Sequence, residues 1–458
     1  MALMRPGPEF PIKRVLLVLP PCPEEILAGR KGVSYSKENP LGLLELSRSL
    51  RAAGISAKVL DLGNNDFSPG TFEREILSFK PGIVGFSATI ITLTEVAKMV
   101  GSAKRLGCLT VVGGRITSML SGRELSRLGA DAVVFGAGAD PLLEMCKSRN
   151  WSAIPRVLAH GRGASKAKRP SLQKSRKLKL TGRPPSSISP ANKSFAFIIA
   201  SFGCPYSCNF CSEFVETDRV WQAYEPESVV KELARLADKG VKGAFFYDSI
   251  FGFERKWLCE FCNRMIETGI GKRIWWQCFR RVDEVDEEIL SLMKRAGCNM
   301  IFFGVESGSD RVLKLMNKGI TTRQTREAFS ATRRAGIFAY AAIMLGYPGE
   351  TRRDLELTKK LLIEIEPDFF HMSYFIPLPR TKAAKKGRVR GGCADFYGES
   401  PRKYQGILDF DQLAAAKKEI HRAFYLRPSR LFKILLQSKG SPRTLSILLS
   451  PLVTSFRK

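Results

Sequence analysis

Ser201-Phe-Gly-Cys204-Pro-Tyr-Ser-Cys208-Asn-Phe-Cys211-Ser212 is the stretch from which the rest of the chain can be read. Three cysteines stand at CxxxCxxC spacing, in a loop that follows the apolar run Phe195-Ala-Phe-Ile-Ile-Ala200, which reads as a buried strand. Gly203 and Pro205 stop that strand and hold the next residues in loop conformations. Three thiolates this close in sequence can converge on one soft metal centre. Structural zinc normally takes four protein ligands, usually from two separated pairs, and no second Cys/His pair at zinc spacing is evident. A four-iron cluster held by three cysteines leaves one iron free to bind a substrate. From spacing alone, a zinc knuckle and a set of buried structural thiols both stay open.

Further stretches bear on the choice. They are Phe245-Phe-Tyr-Asp248, Gly304-Val-Glu306-Ser-Gly-Ser-Asp310, Lys318-Gly, and Leu345-Gly-Tyr-Pro-Gly-Glu350-Thr351. With Phe210 just before the third cysteine, this part of the chain resembles the radical S-adenosylmethionine (SAM) enzymes. The resemblance implies a 4Fe-4S cluster on Cys204, Cys208 and Cys211, with Phe210 beside it. The open iron would hold the amino and carboxylate groups of SAM, and one electron would cleave SAM to methionine and a 5′-deoxyadenosyl radical. It also implies that Asp248 lies near the SAM amino group and that Arg281, in the Arg281-Val-Asp283 turn, pairs with its carboxylate. Glu306 and Ser307 would lie against the ribose and methionine moieties, and Leu345 and Gly346 beside the adenine. Each has a plainer reading: Asp248 can start a turn, and Glu306 and Ser307 can cap the helix near Val312. Cys259 and Cys262, a CxxC within a helical pattern, read as buried thiols.

Around this loop the pattern is α/β. Six strand-like runs (194–200, 244–247, 273–277, 300–304, 339–345, 369–374) alternate with helical patterns at 226–239, 254–268, 286–296, 322–335 and 351–366. Such repeats give a partial (β/α)6 barrel of TIM type over 194–385, with its site at the carboxyl ends of the strands. Ahead of it, residues 12–150 alternate strands 14–20, 57–61, 82–87, 109–113 and 131–135 with helices 41–54, 92–106 and 120–128. Continuous apolar strands between helices imply a doubly wound, Rossmann-like parallel sheet. Gly113-Gly114 and Gly136-Ala-Gly138 fall just after strands, where a large ligand can approach the backbone. No GxGxxG follows the first strand, which weakens a nucleotide-binding reading.

This first region resembles the cobalamin-binding domain fused in front of one radical SAM subgroup. The resemblance rests on Asn39-Pro40-Leu41-Gly42, Gly85-Phe-Ser87, Val111-Val-Gly113-Gly114 with Thr117, and Asp131-Ala-Val-Val-Phe-Gly136, and it implies cobalamin contacts at Pro40, Leu41, Gly42, Ser87, Gly113, Gly114, Thr117, Gly136 and Gly138. There are two departures. No DxHxxG occurs, so no histidine of the domain should ligate cobalt. The family's acidic Gly-Glu-Gly-Glu turn is here Gly136-Ala-Gly-Ala139-Asp140, so the contacts those carboxylates make do not carry over to this chain by resemblance.

The remaining segments are read from composition. Residues 1–11 read as a disordered tail. Residues 151–193 are basic, with no acidic residue from Arg156 to Arg183, and read as a linker. Such a stretch can hold phosphates or nucleic acid, but without aromatics between Trp151 and Phe195 sequence-selective RNA binding there is not expected. Residues 386–458 read as mostly helical, with Lys417–Tyr425 a helix, and as a cover for the open side of the barrel. In the turn Pro377-Leu-Pro379-Arg380-Thr381, Arg380 replaces the glycine of a similar family turn.

The formal net charge of +29 suits an anionic small-molecule substrate, nucleic acid or an acidic membrane surface. Eleven cysteines without a secretory signal point to a reducing cytosol, hence a cytoplasmic protein. No apolar run approaches the ~20 residues of a membrane span. Only three histidines occur, at 160, 371 and 421. Together the two resemblances imply radical methylation of an unactivated carbon by way of methylcobalamin, with an external electron donor such as flavodoxin or ferredoxin. The alternatives are a cobalamin-assisted cyclase or rearrangement enzyme, a methylthiotransferase, and a basic RNA-binding protein on a degenerate barrel. The intact cysteine triad argues against the last.

Overall fold

The computed structural model describes residues 10–21, 40–63, 70–159, 180, 182–189, 192–213, 219–385, 388–389, 404–405, 407–428 and 430. In the first sheet, β1 (Arg14–Leu19), β2 (Ser56–Asp61), β3 (Ile83–Ser87), β4 (Leu109–Gly113) and β5 (Ala132–Val134) run parallel. β6 (Val157–Ala159) returns antiparallel at the edge. The order is β2-β1-β3-β4-β5-β6. Alternate residues feed two cores: Leu16, Val18, Val84, Phe86 and Val112 on one face, and Val15, Leu17, Ile83, Val111 and Val134 on the other. Burial on both faces is why these strands read as unbroken apolar runs. The chain turns one way from β1 to β2 and the other way to β3, and this switch point leaves a crevice beyond the carboxyl ends of the strands.

Two helices of this domain escape the sequence reading, Thr71–Phe79 and Ala139–Lys147. The second carries Pro141, which reads as a breaker but is tolerated in a first turn, where its missing N–H has no partner to lose. The expected disordered tail also shortens. Phe10 packs on the core, and the Ile12 N–H donates to the Cys146 carbonyl at 2.7 Å. Residues 1–9 lie outside the described residues.

The basic stretch 151–193 ends in sheets at both sides. Trp151 is buried with its indole N–H on the Met145 carbonyl, and β6 follows it. β7 (Ser186–Ile188) then pairs antiparallel with β8 (Phe195–Ile198). A short pair follows, β9 (Ser201–Phe202) and β10 (Gln222–Ala223). The barrel sheet continues with β11 (Gly243–Phe246), β12 (Trp275–Arg280), β13 (Cys298–Glu306), β14 (Phe338–Leu345) and β15 (Phe369–Tyr374), all parallel and in sequential order. β7 and β15 are its two open edges, so the barrel is partial. Ala196, Ile198, Ala244, Phe246, Trp276, Cys278, Ile301 and Phe303 point outward into one apolar core beneath the helices.

Helix Phe410–Tyr425 starts earlier than its apolar pattern announces, because Asp409 and Gln412 form a capping box there. It packs on the outer side of β15, with Phe370 against Phe424 and Tyr425. The described helix of the tail therefore packs beside the edge strand β15 and brings Leu413 against Gly346. Residues 431–458 lie outside the described residues. No helix among those described is long and apolar enough to cross a membrane.

Candidate active site

The cysteine loop is held by its neighbours and not by its sulfurs. The Asn209 backbone N–H donates to the Met316 carbonyl at 2.8 Å and its side-chain amide to the Leu315 carbonyl at 2.9 Å. Asn317 donates to the Ser207 carbonyl, and the Ala383 N–H to the Asn209 carbonyl, both at 2.9 Å. Phe210 is anchored in a small apolar cluster with Val312, Met316, Tyr347, Phe375 and Ala383. Cys208 is buried, and Cys204 and Cys211 are half-buried. Burial pushes the thiols of Cys204 and Cys211 up to about 11, and the neighbouring thiols and Glu213 add to it. Backbone N–H groups of Tyr206 and Glu213 donate to the sulfurs of Cys204 and Cys211.

Among the described residues, no three His, Cys, Asp or Glu side chains form a group that could hold a single metal ion. An all-thiol donor set with N–H groups on its sulfurs, beside the cationic Arg281 and Lys318, suits a multi-iron cluster, whose ligands stand at separate corners of a larger cage. The second cysteine group, Cys262, Cys278 and Cys298, is sealed in the barrel core, where burial raises the thiols of Cys262 and Cys298.

Arg281 lies at the rim. Two of its nitrogens hold Asp283 at 2.8 and 2.9 Å, and its guanidinium lies over the Tyr206 ring at 3.7 Å. Its third nitrogen, Nη1, is buried without a hydrogen-bond partner. An orphaned cationic donor beside the cysteine loop fits an incoming carboxylate. Glu306 stands where the register between β13 and β14 shifts, with a left-handed φ of +64°. Its carboxylate accepts from Lys318 at 2.8 Å. Burial alone would lower Lys318; the charge of Glu306, the neighbouring Cys208 and the hydrogen bond to Glu306 together offset this, and the lysine is held above its ordinary value.

Other expected residues turn away from the rim. Asp248 is buried: its Oδ1 accepts the Ala200 N–H at 2.9 Å and its Oδ2 the Ser201 hydroxyl. Desolvation pushes its carboxyl up to about 7, against those hydrogen bonds. Ser307 is buried against Thr358, and the cap of the following helix is Ser309, which accepts the Val312 N–H. Leu345 is buried. Gly346, at φ +81°, donates its N–H to Glu350 Oε2 at 2.5 Å.

Glu350 gives a pH test. Burial pushes its carboxyl up to about 8, and Oε1 has no partner. Folded, it keeps its proton to about pH 8, whereas the unfolded chain releases it near pH ~4.3. Protein stability is therefore expected to fall as pH rises through that window, and Glu350→Gln to flatten the fall, as read from thermal midpoints between pH 5 and 8.

In the first domain the crevice is rimmed by Pro40, Leu41, Gly42, Ser87, Gly113 and Gly136, all half-buried or exposed. A Cβ at Gly42, Gly113 or Gly136 would meet no atom within 4 Å, which leaves room for a large ligand against the backbone. Gly114 differs: at φ +103° its Cβ would stand 2.5 Å from the Ala88 carbonyl. Thr117 is buried, its hydroxyl 2.9 Å from the Gly114 and Val134 carbonyls, and Gly138 faces Leu46. The two domains meet at this rim. Arg115, just past β4, pairs with Glu213, two residues beyond Cys211. Arg380 donates to the Ser118 carbonyl at 2.7 Å, and Leu378 packs on the first domain's core. Arg380 takes a φ of +65°, a conformation glycine reaches without strain.

Comparison with known families gives two matches. The B12 binding domain model matches residues 30–145, and the radical SAM superfamily model matches 198–362. The chain carries a B12-binding domain followed by a radical SAM domain. Those domains call for a 4Fe-4S cluster with SAM, and for cobalamin. An uncharacterized methyltransferase of Pyrococcus horikoshii is 27% identical over 94% of this chain and 96% of its own. The anaerobic magnesium-protoporphyrin IX monomethyl ester cyclase of Rubrivivax gelatinosus is 26% identical over 74% of this chain and 64% of its own. The radical SAM methyltransferase TsrM of Kitasatospora setae shares the fold, at a TM-score of 0.66 and 20% identity, over 81% of this chain and 74% of its own.

Within the radical SAM domain, reading the sequence missed Tyr206, Glu213 and the bond of Lys318 to Glu306. Arg115 in the B12-binding domain was missed as well. No spacing rule marks any of them. Lys318-Gly stands among the motif stretches, but only the bulge at Glu306 brings its ammonium to the rim.

Proposed function

We propose that the protein is a cobalamin-dependent radical SAM methyltransferase acting on an unactivated carbon of a small-molecule substrate. When bound, SAM on the cluster supplies a 5′-deoxyadenosyl radical and methylcobalamin supplies the methyl group. The observation that carries the reading is the Arg115–Glu213 contact, which sets the open end of the cobalamin crevice against the cysteine loop. Cys204, Cys208 and Cys211 hold the cluster. Arg281 Nη1 takes the SAM carboxylate, and Glu306, steadied by Lys318, lines the same pocket. Gly42, Gly113 and Gly136 give cobalamin its close approach to the backbone. The Pyrococcus relative and TsrM, both methyltransferases by name, support methyl transfer. The Rubrivivax cyclase supports the second reading, ring formation without methyl transfer. An external reductant is required, of the flavodoxin or ferredoxin kind in a cytoplasmic setting, and the net charge of +29 favours an anionic substrate.

The deciding experiment is an anaerobic assay with methyl-labelled SAM, a low-potential reductant and candidate substrates. Methyl transfer by the radical route yields S-adenosylhomocysteine and 5′-deoxyadenosine in equal amounts, with label in the product. Unequal amounts and no label in product would hand the site to the cyclase reading. A narrower test is Gly113→Val. It is expected to lower retained cobalamin, read by absorbance, and to change stability by no more than ~0.5 kcal/mol, because the new side chain enters open space.

A further inference from the structure

The inner face of the barrel carries a row of rings. Phe279 pairs in register with Phe302, Phe302 with Tyr340, and Tyr340 with Phe369. Tyr247 follows Phe246, the partner of Cys278, and so stands level with Phe279. Ring centroids lie 6.2 Å apart for Tyr247–Phe279, 5.3 Å for Phe279–Phe302 and 4.5 Å for Phe302–Tyr340, and Phe245 stacks on Phe302 from the next row at 5.0 Å. A closed barrel fills its interior with packed aliphatic layers. Here Tyr247 is 46% exposed and the other rings of the row are only half-buried, while the residues between them are sealed on the helical side. The row is therefore an accessible floor.

One register step above the floor the side chains become small or charged. Arg281 stands level with Gly304, and Gly304 pairs with Ala342. A Cβ at Gly304 would meet the Glu306 carboxylate and the Lys318 ammonium, each at 2.7 Å, so that ion pair lies against Gly304, one step above Phe302. The rings and the rim residues assigned above to SAM thus stand on one face of the sheet, one step apart. We infer that the part of the substrate lying on this face is a planar conjugated ring system, stacked on Phe302 and Tyr340. Flat rings gain from offset and edge contacts with aromatic neighbours beyond the area they bury, and a saturated chain does not. This inference deepens the proposed methyltransferase reading and rests on it for the identity of the site.

Binding of pyrenebutyrate to the full, cluster-loaded chain tests it, with palmitate as a saturated carboxylate competitor. Pyrenebutyrate is expected to bind, with palmitate displacing it poorly. Phe302→Leu and Tyr340→Leu should each weaken binding about three- to tenfold, the worth of an aromatic contact. Tyr247→Leu, at a ring half in solvent, should weaken it in the same direction and keeps the test open if an inner variant fails to fold. No binding, equal competition by palmitate, or unchanged affinity in all folded variants would overturn the inference. Binding is read without turnover, so its failure leaves the ratio of SAM products as an independent measure of methyl transfer.

Discussion

Alanine at Cys204, Cys208 and Cys211 together is expected to take iron from about four per chain to background after anaerobic reconstitution, and SAM cleavage with it. The fold should survive. Asn209, Asn317 and Phe210 hold the loop to the helix Asp310–Leu315 and to Ala383, and none of those bonds uses sulfur. Burial disfavours thiolates at Cys204 and Cys211, so without a metal centre the loop has no use for three of them side by side. The measurement is iron, sulfide and zinc per chain, with circular dichroism as the check on folding. Wild-type iron in the triple variant, or one zinc per chain in the parent, would end the cluster assignment.

The second large effect is expected at Asp248. Its two oxygens accept the Ala200 N–H and the Ser201 hydroxyl, which also receives the Trp221 indole N–H at 3.1 Å. Asp248→Ala leaves the buried Ala200 N–H without an acceptor and the Ser201 hydroxyl with only the more distant Ile250 carbonyl at 3.3 Å, so a loss of about 1–3 kcal/mol follows from the N–H alone. The damage falls where β8 hands the chain to the cysteine loop, so cluster content should drop as well. Asp248→Asn keeps the shape and one good acceptor, and is expected to lose far less. The carboxyl is pushed up to about 7 by burial, so its contribution to stability declines as pH rises from the ordinary carboxylate range towards 7; the asparagine variant should lack that decline. Denaturant unfolding of the two variants reads this directly. A fully stable alanine variant that had lost only SAM affinity would make Asp248 a ligand contact and not a strut.

The contrast between Asp248 and Arg281 shows what was legible in the sequence. Both stand in motif stretches just after strands, and strand alternation places both at the carboxyl end of the barrel. Whether a side chain faces the rim or the loop behind it depends on the last turn of backbone, which periodicity does not encode. The parallel sheets, their order of helices and the cysteine loop were legible because burial on both faces writes continuous apolar runs. The antiparallel edges β6 and β7 were not, because three residues inside a basic stretch carry too little pattern. Helix Ala139–Lys147 was hidden by Pro141. The aromatic floor was visible only as scattered Phe and Tyr, since its meaning lies in the register between strands.

The contact between the domains also sets an order of events during synthesis. Arg115 and Glu213 are 98 positions apart, and Arg380 reaches Ser118 across 262. The first sheet can be completed while the barrel is still being made, as domains generally fold in turn from the amino end. The cysteine loop cannot be sealed until Ala383 has emerged to bond Asn209 and Arg380 has reached Ser118. While residues 212–383 are being made, the three thiols stay open on one side. Delivery of iron and sulfide thus has a natural window before the barrel's last strand and turn arrive, and a chain that closes early would be shut without its metal.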